Sequence, residues 1–278
     1  MGLTVDEVKT GLPTRARLRP AIRRRPAGPR FRDEVRDFLR FVRRPRVAPR
    51  LPGRRLDNGW WEDWFPSMRM GRLLKWAMLL WLLNLVFLGP LAVLAAGAGG
   101  ATHRIDINDM PWIQALIWAP LVEELVFRFG LRRPGVAWWL VPITVAIMLS
   151  GPKPWAIMVL ALVLLLCWWP YLERQPPMWS RRPWPWRYRV FYLRCFPYIF
   201  YIASVSFAAV HLYNFNLHRT PLLLLPLLVA PQWVTGLVLG WIRVRRGIGA
   251  SMLLHAIFNG GPLLVVAFIL RGMPEALM

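Results

Sequence analysis

Seven separate apolar stretches dominate the 278-residue chain, near 73–96, 112–131, 136–150, 155–171, 191–213, 221–242 and 251–270. A bilayer core of ~30 Å needs about 17 to 25 helical residues to cross it. Lipid offers the backbone no hydrogen-bond partners, so a spanning segment must satisfy its own. The chain is therefore expected to be all-α, a polytopic integral-membrane helical bundle of about seven transmembrane helices. Composition agrees: 56% of residues are hydrophobic, 18% are charged and 17 are Trp, more apolar surface than a soluble core of this size can bury. The same content excludes disorder over most of the length. Cys167 and Cys195, both inside apolar or aromatic runs, exclude a disulfide scaffold and read as packing residues.

The formal net charge of +22 could point to nucleic acid, but the positive residues flank the apolar stretches, as membrane insertion demands. No nucleic-acid partner is expected. With the N-terminus inside, inner connections contain Arg132 and Arg133, then Arg174, Arg181, Arg182, Arg187 and Arg189, then Arg243, Arg245 and Arg246. The outer segments have one cation each: Arg104, Lys153, Arg219 and Arg271. The expected topology is seven spans in a bacterial inner membrane, N-terminus cytoplasmic and C-terminus outside, and the Arg-heavy, Lys-poor usage fits a GC-rich bacterium. Trp168, Trp169, Trp179, Trp184 and Trp186 crowd the third inner connection, where amphipathic rings favour the headgroup level.

Residues 1–72 are Arg-rich and Pro-interrupted, with no apolar run of signal-peptide type, so no cleavable signal is expected. They form an N-terminal extension to a membrane domain at 73–271. Within it Phe31, Val35, Phe38, Leu39 and Val42 follow helical spacing, with Arg30, Arg32, Asp33, Arg36, Asp37, Arg40, Arg43 and Arg44 on the other positions. This pattern predicts a basic amphipathic helix lying on an anionic leaflet and separable from the catalytic core. Trp60, Trp61, Trp64 and Phe65, with Glu62, Asp63 and Pro66, read as an interfacial aromatic belt.

An ionisable side chain at membrane depth costs at least ~2.5 to 3.5 kcal/mol, which makes it a functional candidate by default. In the second stretch Glu123 and Glu124 precede Arg128. On a helix Glu124 and Arg128 are i and i+4 and share a face, while Glu123 points about a third of a turn away. Arg128 is expected to neutralise Glu124 and leave Glu123 facing a cavity, poised as a general base. The competing reading is an ion pair that only staples the helix end. The fifth stretch ends Phe207-Ala-Ala-Val-His211, and the seventh contains His255-Ala-Ile-Phe-Asn259. His255 and Asn259 share a face and can present an imidazole and a carboxamide to one point, as an oxyanion or metal site requires. Gly247, Gly249, Gly260 and Gly261 around them permit close helix approach.

The ordered set Glu123-Glu124-Leu-Val-Phe-Arg128, Phe207-Ala-Ala-Val-His211 and His255-Ala-Ile-Phe-Asn259 resembles the three motifs of the CPBP family of intramembrane proteases. That family groups the CAAX prenyl endopeptidases with bacteriocin-processing and immunity (Abi) proteins. The likeness covers a motif core of roughly 110–265, including Gly236-Leu-Val-Leu-Gly240 before the last helix. It implies that Glu123 activates water with His211 helping to hold it, that His255 and Asn259 stabilise the oxyanion, and that Glu124, Arg128 and Phe207 support. No cofactor is expected under that reading; the alternative is zinc held by Glu123, His211 and His255, and the lack of a His-Glu-x-x-His spacing disfavours only a zincin.

The expected activity is an endopeptidase hydrolysing a peptide bond near the cytoplasmic face, on a peptide or protein substrate that could be membrane-anchored. A non-catalytic scaffold or immunity pseudoprotease competes with it, and a proton-coupled transporter ranks third. Residue counts also set a geometric condition. Glu123 and His255 each lie about 9 residues from their inner helix ends, roughly 13 Å, whereas His211 lies 17 residues after Arg194, about 25 Å. They meet only if the fifth helix is displaced, tilted or broken near Pro197 so that its first turns project beyond the bundle.

Overall fold

The computed structural model describes residues 29–49, 51, 61–65, 68–104, 112–172 and 186–272. Trp60, Pro66, Arg174, Trp179, Arg181, Arg182 and Trp184 of the expected belt and aromatic loop lie outside them, as do residues 1–28. The helices are α1 (Phe31–Arg43), α2 (Met70–Gly99), α3 (Ala119–Phe127), α4 (Pro134–Ser150), α5 (Pro154–Leu172), α6 (Trp186–Val210), α7 (Ala230–Arg245) and α8 (Ile248–Gly272). Single turns Trp61–Trp64 and Leu225–Leu228 precede α2 and α7, and Thr102–His103 pairs antiparallel with Phe215–Asn216. All seven apolar stretches contain helix. By length and composition three helices can cross a membrane, Met70–Gly99, Trp186–Asn214 and Ile248–Val265. Leu222–Leu228 and Ala230–Arg245 make a fourth if the 51° bend between them lies within one span. α4 and Pro154–Trp168 are apolar but shorter. The chain is an all-α integral membrane protein.

Proline shapes the helices that matter. A proline lacks an N–H and its ring crowds the carbonyl four residues back, so a helix must widen or find another donor. Pro90 and Pro120 each follow a wide π-helical turn, Asn84–Leu88 and Gln114–Trp118. In such a turn the carbonyl of Ala115 would accept from residue 120, which has no N–H to give. The Asn259 carboxamide of α8 donates to that carbonyl instead, at 3.0 Å. Pro262 likewise orphans the Phe258 carbonyl, and the Trp81 indole N–H of α2 fills it at 2.9 Å. Two backbone groups orphaned by proline thus become two ties that hold α8 to α2 and to the turn leading into α3.

Close approach depends on glycine where the sequence places it. A methyl at Gly261 would collide with the Trp81 ring, and one at Gly260 would press on Leu116 at 3.0 Å. At the α6–α7 contact, Gly236 and Gly240 receive Phe207 and Phe200, whose rings would lie 3.0 and 2.7 Å from an added Cβ. Gly247 turns α7 into α8 at φ 140°, a conformation that other residues rarely adopt.

The N-terminal segment does not lie apart. Phe31 and Phe38 pack edge-on against Trp76, Phe38 also meets Trp241, and Phe41 meets Phe196 and Phe200. The apolar stripe read from sequence is correspondingly rotated: Leu39 is half-exposed, and Phe41 and Glu34 are buried in its place. Glu34 binds Arg246 and accepts from the Trp76 indole at 3.2 Å. Asp37 takes both Arg245 Nε and Nη2, at 2.8 and 2.9 Å, and accepts from the Trp241 indole at 2.9 Å. Asp63 accepts from Arg243 Nη1 with both oxygens at 2.7 Å. Arg243, Arg245 and Arg246, read as loop charges, are each matched by one carboxylate of residues 31–65. Position 72 marks where the apolar spans begin, not where contacts stop. Trp64 is also buried, against Phe129 and Trp168, rather than simply facing an interface.

Candidate active site

The site forms where α3, α6 and α8 converge. Glu124 is fully buried and satisfied three times: by Arg128 Nη1 at 2.7 Å, by the Ser251 hydroxyl and by His255 Nδ1 at 3.1 Å. The i, i+4 pair forms as helical spacing requires. Glu123, on the adjacent face, is different. Its Oε2 is buried, makes no hydrogen bond among the described residues, and lies 3.8 Å from His255 Nε2. That separation is too long for a direct hydrogen bond and short enough for one water to touch both groups.

His255 is therefore held between two carboxylates, Glu124 at Nδ1 and Glu123 facing Nε2. Because a carboxylate only accepts, Nδ1 donates to Glu124 and the ring orientation is fixed. The Ser251 hydroxyl, one turn earlier on the same face, lies against both Glu124 Oε2 and the Leu239 carbonyl, the latter at 2.9 Å, and shares its single hydrogen between these two acceptors. Asn259, one turn later, donates one amide hydrogen to Ala115 and has a second to offer.

His211 begins a tight turn, His211–Asn214, at the end of α6. Its Nδ1 lies 2.8 Å from the Phe207 carbonyl, which can only accept, so Nδ1 carries the hydrogen and Nε2 is left as the acceptor. The buried Phe207 ring is the hub: edge-on to His211 at 4.8 Å and to His255 at 5.7 Å, with the Arg128 guanidinium over its face at 3.7 Å. It forms a cation–π contact that keeps Arg128 desolvated yet favourably placed.

The geometric condition on α6 is met by an overhang. Phe207 sits at Gly236 and Phe200 at Gly240, while Tyr192 donates to the Gly130 carbonyl at 3.2 Å. The residues from Trp186 to Tyr192 extend past the end of α7, and Pro197 lies within the helix. All the residues singled out from sequence, Glu123, Glu124, Arg128, Phe207, His211, His255 and Asn259, fall in this one region. Two further groups went unread. Ser251 had a signal, its i−4 spacing from His255. Arg243 had none: buried on Asp63, it donates from Nε to the Arg128 carbonyl at 3.1 Å and from Nη2 to the Phe129 carbonyl at 3.2 Å. Both carbonyls lie just past the end of α3 and also accept the Leu131 and Arg132 backbone N–H groups, at 3.2 and 3.4 Å, so Arg243 adds a second donor to the turn that ends the helix carrying both glutamates.

Among the described residues no group of three or more His, Cys, Asp or Glu is placed to hold a metal ion.

A committed glutamate, a second glutamate whose Oε2 accepts no hydrogen bond among the described residues, and an oriented imidazole thus lie together inside a helical membrane bundle. Residues 110–261 match the family described as type II CAAX prenyl endopeptidase Rce1-like, over half of the chain, and the protein belongs to that family of CPBP-type membrane proteases. No curated protein and no solved structure matches the chain.

Proposed function

We propose that the protein is an endopeptidase that hydrolyses a peptide bond by glutamate-activated water. The observation that supports this reading best is the division of labour between the two glutamates. Glu124 is spent on Arg128, Ser251 and His255, while Glu123 Oε2 accepts no hydrogen bond among the described residues and faces His255 Nε2. Glu123 takes a proton from a water that touches both it and His255 from one side, and the hydroxide attacks the scissile carbonyl carbon. The oxyanion accepts from the second Asn259 amide hydrogen, and His255, on the same face one turn earlier, is assigned with it to the oxyanion site. His211, accepting at Nε2, helps to hold the water. On collapse the C–N bond breaks, and the proton passes from Glu123 to the departing amine. Glu124, Arg128, Phe207 and Ser251 act by position.

The substrate is a peptide or protein segment held at the membrane. A groove of about 400 Å³ lined by Ala208, Leu212, Leu225, Val229 and Trp233 runs beside the His211 turn and would accept an apolar anchor. The Arg-rich end is assigned to the cytoplasmic leaflet of a bacterial inner membrane by the positive-inside rule. Seven spans with the N-terminus cytoplasmic and the C-terminus outside complete the proposal. No metal is required in it.

The test is cleavage of a membrane-reconstituted peptide library by the intact protein and by Glu123→Gln, with metal content measured on the same samples. Loss of cleavage in the variant with no stoichiometric metal in the active protein is the expected result. Full activity in Glu123→Gln would remove the general base. Zinc lost together with activity in His211→Ala would replace the glutamate mechanism with a metal one.

A further inference from the structure

Beside the docked N-terminal helix lies a second concavity, of about 620 Å³, far from the glutamates in composition. It is lined by Asp37, Arg40, Phe41, Arg44, Pro45, Arg46 and Ala48, with Pro49 and Arg245. Four arginines face one carboxylate there, and that carboxylate is already committed. Asp37 gives both oxygens to Arg245, and Arg245 gives its remaining Nη1 to the Pro49 carbonyl. Arg40, Arg44 and Arg46 have no ion pair or hydrogen bond from their side chains among the described residues. They are exposed, yet their backbone is not loose. Arg44 N–H donates to the carbonyls of Arg40 and Phe41 to end α1, Leu51 N–H donates to the Arg245 carbonyl, and Phe41, Ala48 and Leu51 are buried. Arg40 and the segment 44–49 thus present three cations around a partly apolar floor of Phe41, Pro45 and Ala48.

Like charges gathered in one concavity repel one another unless an anion is shared, and guanidinium groups match phosphate oxygens in geometry as well as charge. We infer that the concavity bounded by Arg40, Arg44 and Arg46 is a binding site for a phosphate group. Its source is a lipid headgroup or a free phosphate. The site deepens the proposed anionic-leaflet contact of this end of the protein, and rests on that reading only for the lipid source. It is a defined pocket rather than an evenly charged face. The other exposed arginines of α1, Arg32, Arg36 and Arg43, lie outside it, and Arg32 and Arg36 are within 3.9 Å of Asp33.

The experiment uses the full-length protein in nanodiscs, with binding rather than proteolysis as the readout, so that failure of the protease reading leaves it intact. Inorganic phosphate and dioctanoyl phosphatidic acid are titrated by thermophoresis in neutral phosphatidylcholine discs. Three proteins are compared: the unaltered chain, Arg40→Gln/Arg44→Gln/Arg46→Gln, and the charge-matched control Arg32→Gln/Arg36→Gln/Arg43→Gln. The expected result is saturable binding by the unaltered chain and the control, and at least a tenfold loss in the pocket variant. The single variant Arg44→Gln should lose affinity in the same direction, which keeps the test valid if the triple variant folds poorly. Equal affinity for both probes assigns the site to free phosphate, and binding of the lipid alone assigns it to a headgroup. Equal losses in the pocket and control variants, or no saturable binding of either probe, would overturn the proposal.

Discussion

The motif site and the N-terminal clamp are built from the same pieces, buried or half-buried carboxylates against arginines, and they differ in what is left over. In the clamp, Glu34, Asp37 and Asp63 each meet one arginine at the α7 end, Arg246, Arg245 and Arg243. At the motif site Arg128 satisfies Glu124, and a second carboxylate, Glu123, has no arginine partner and no hydrogen bond to Oε2 among the described residues. Matched buried charge has only a structural role: removing one partner of such a pair costs about 3–5 kcal/mol, because the other is stranded. An unmatched carboxylate in a water-poor site is available for chemistry. The comparison separates residues whose loss should cost rate from residues whose loss should cost stability.

The largest effect expected is on rate. Glu123→Gln removes the general base and should lower peptide cleavage by about 10²–10⁴-fold or more, with little change in detergent melting temperature. Glu124→Gln should behave otherwise, strip Arg128, Ser251 and His255 of their shared acceptor, and lower melting temperature and activity together. Equal melting losses in the two variants would erase the distinction between the spare and the committed carboxylate.

Next in size is the clamp itself. Asp63→Ala leaves Arg243 without its charge partner at the carbonyls that end α3, and is expected to cost about 3–5 kcal/mol of stability, comparable with Arg128→Ala. The double change Asp63→Ala/Arg243→Met should recover part of that cost, since neither charge is then stranded. Deletion of residues 1–50 removes Glu34 and Asp37 and should also destabilise, contrary to a separable extension. A truncated protein that melts like the intact one would restore the separable reading.

Why the two regions differed in legibility follows from the range of their contacts. The motif site is written in short spacings: Glu124 to Arg128, Phe207 to His211, Ser251 to His255 and His255 to Asn259 are each four residues apart, so helical geometry alone puts each pair on one face. The clamp is written across distances that no periodicity reports. Asp63 and Arg243 are 180 positions apart, and Glu34 and Arg246 are 212. An Arg in a short connection reads as a sidedness signal whether it meets solvent or an aspartate. The stripe on α1 misled for the same reason: Leu39 fits an apolar face by spacing, but the face that docks is chosen by Trp76, Trp241 and Arg246. Helix existence was legible from apolar runs, whereas span length was not, because Pro120, Pro142 and Pro262 break the regular count.

A smaller effect tests the ties between the two regions. Trp81 fits against Gly261 and donates to the carbonyl that Pro262 orphans. Gly261→Ala should push the indole away, costing about 1–3 kcal/mol by overpacking and loosening α8. Trp81→Phe keeps most of the ring and loses the hydrogen bond, a change of about 1 kcal/mol. If Gly261→Ala lowered cleavage more than its melting loss explains, the register of α8, which sets His255 and Asn259, would be the cause.

The smallest change expected lies on the outer face of α1, and its size is informative because the inner face of the same helix is predicted to matter. Asp33 approaches Arg32 and Arg36 only at 3.9 Å, and all three side chains are 45–66% exposed. Exposed pairs of this kind contribute about 0–1 kcal/mol and are screened by salt. Asp33→Asn should therefore leave the melting temperature within about 0.5 kcal/mol of the unaltered protein, and any difference should shrink further in 0.5 M salt. Asp37→Asn, four residues along, loosens Arg245 and the Trp241 indole together and should cost clearly more, with little dependence on salt because the group is partly enclosed. Thermal melts of the two variants at low and high salt make the comparison on one helix. Equal, salt-sensitive losses would mean that α1 is held by diffuse surface charge, and the clamp would then be no firmer than the face that solvent sees.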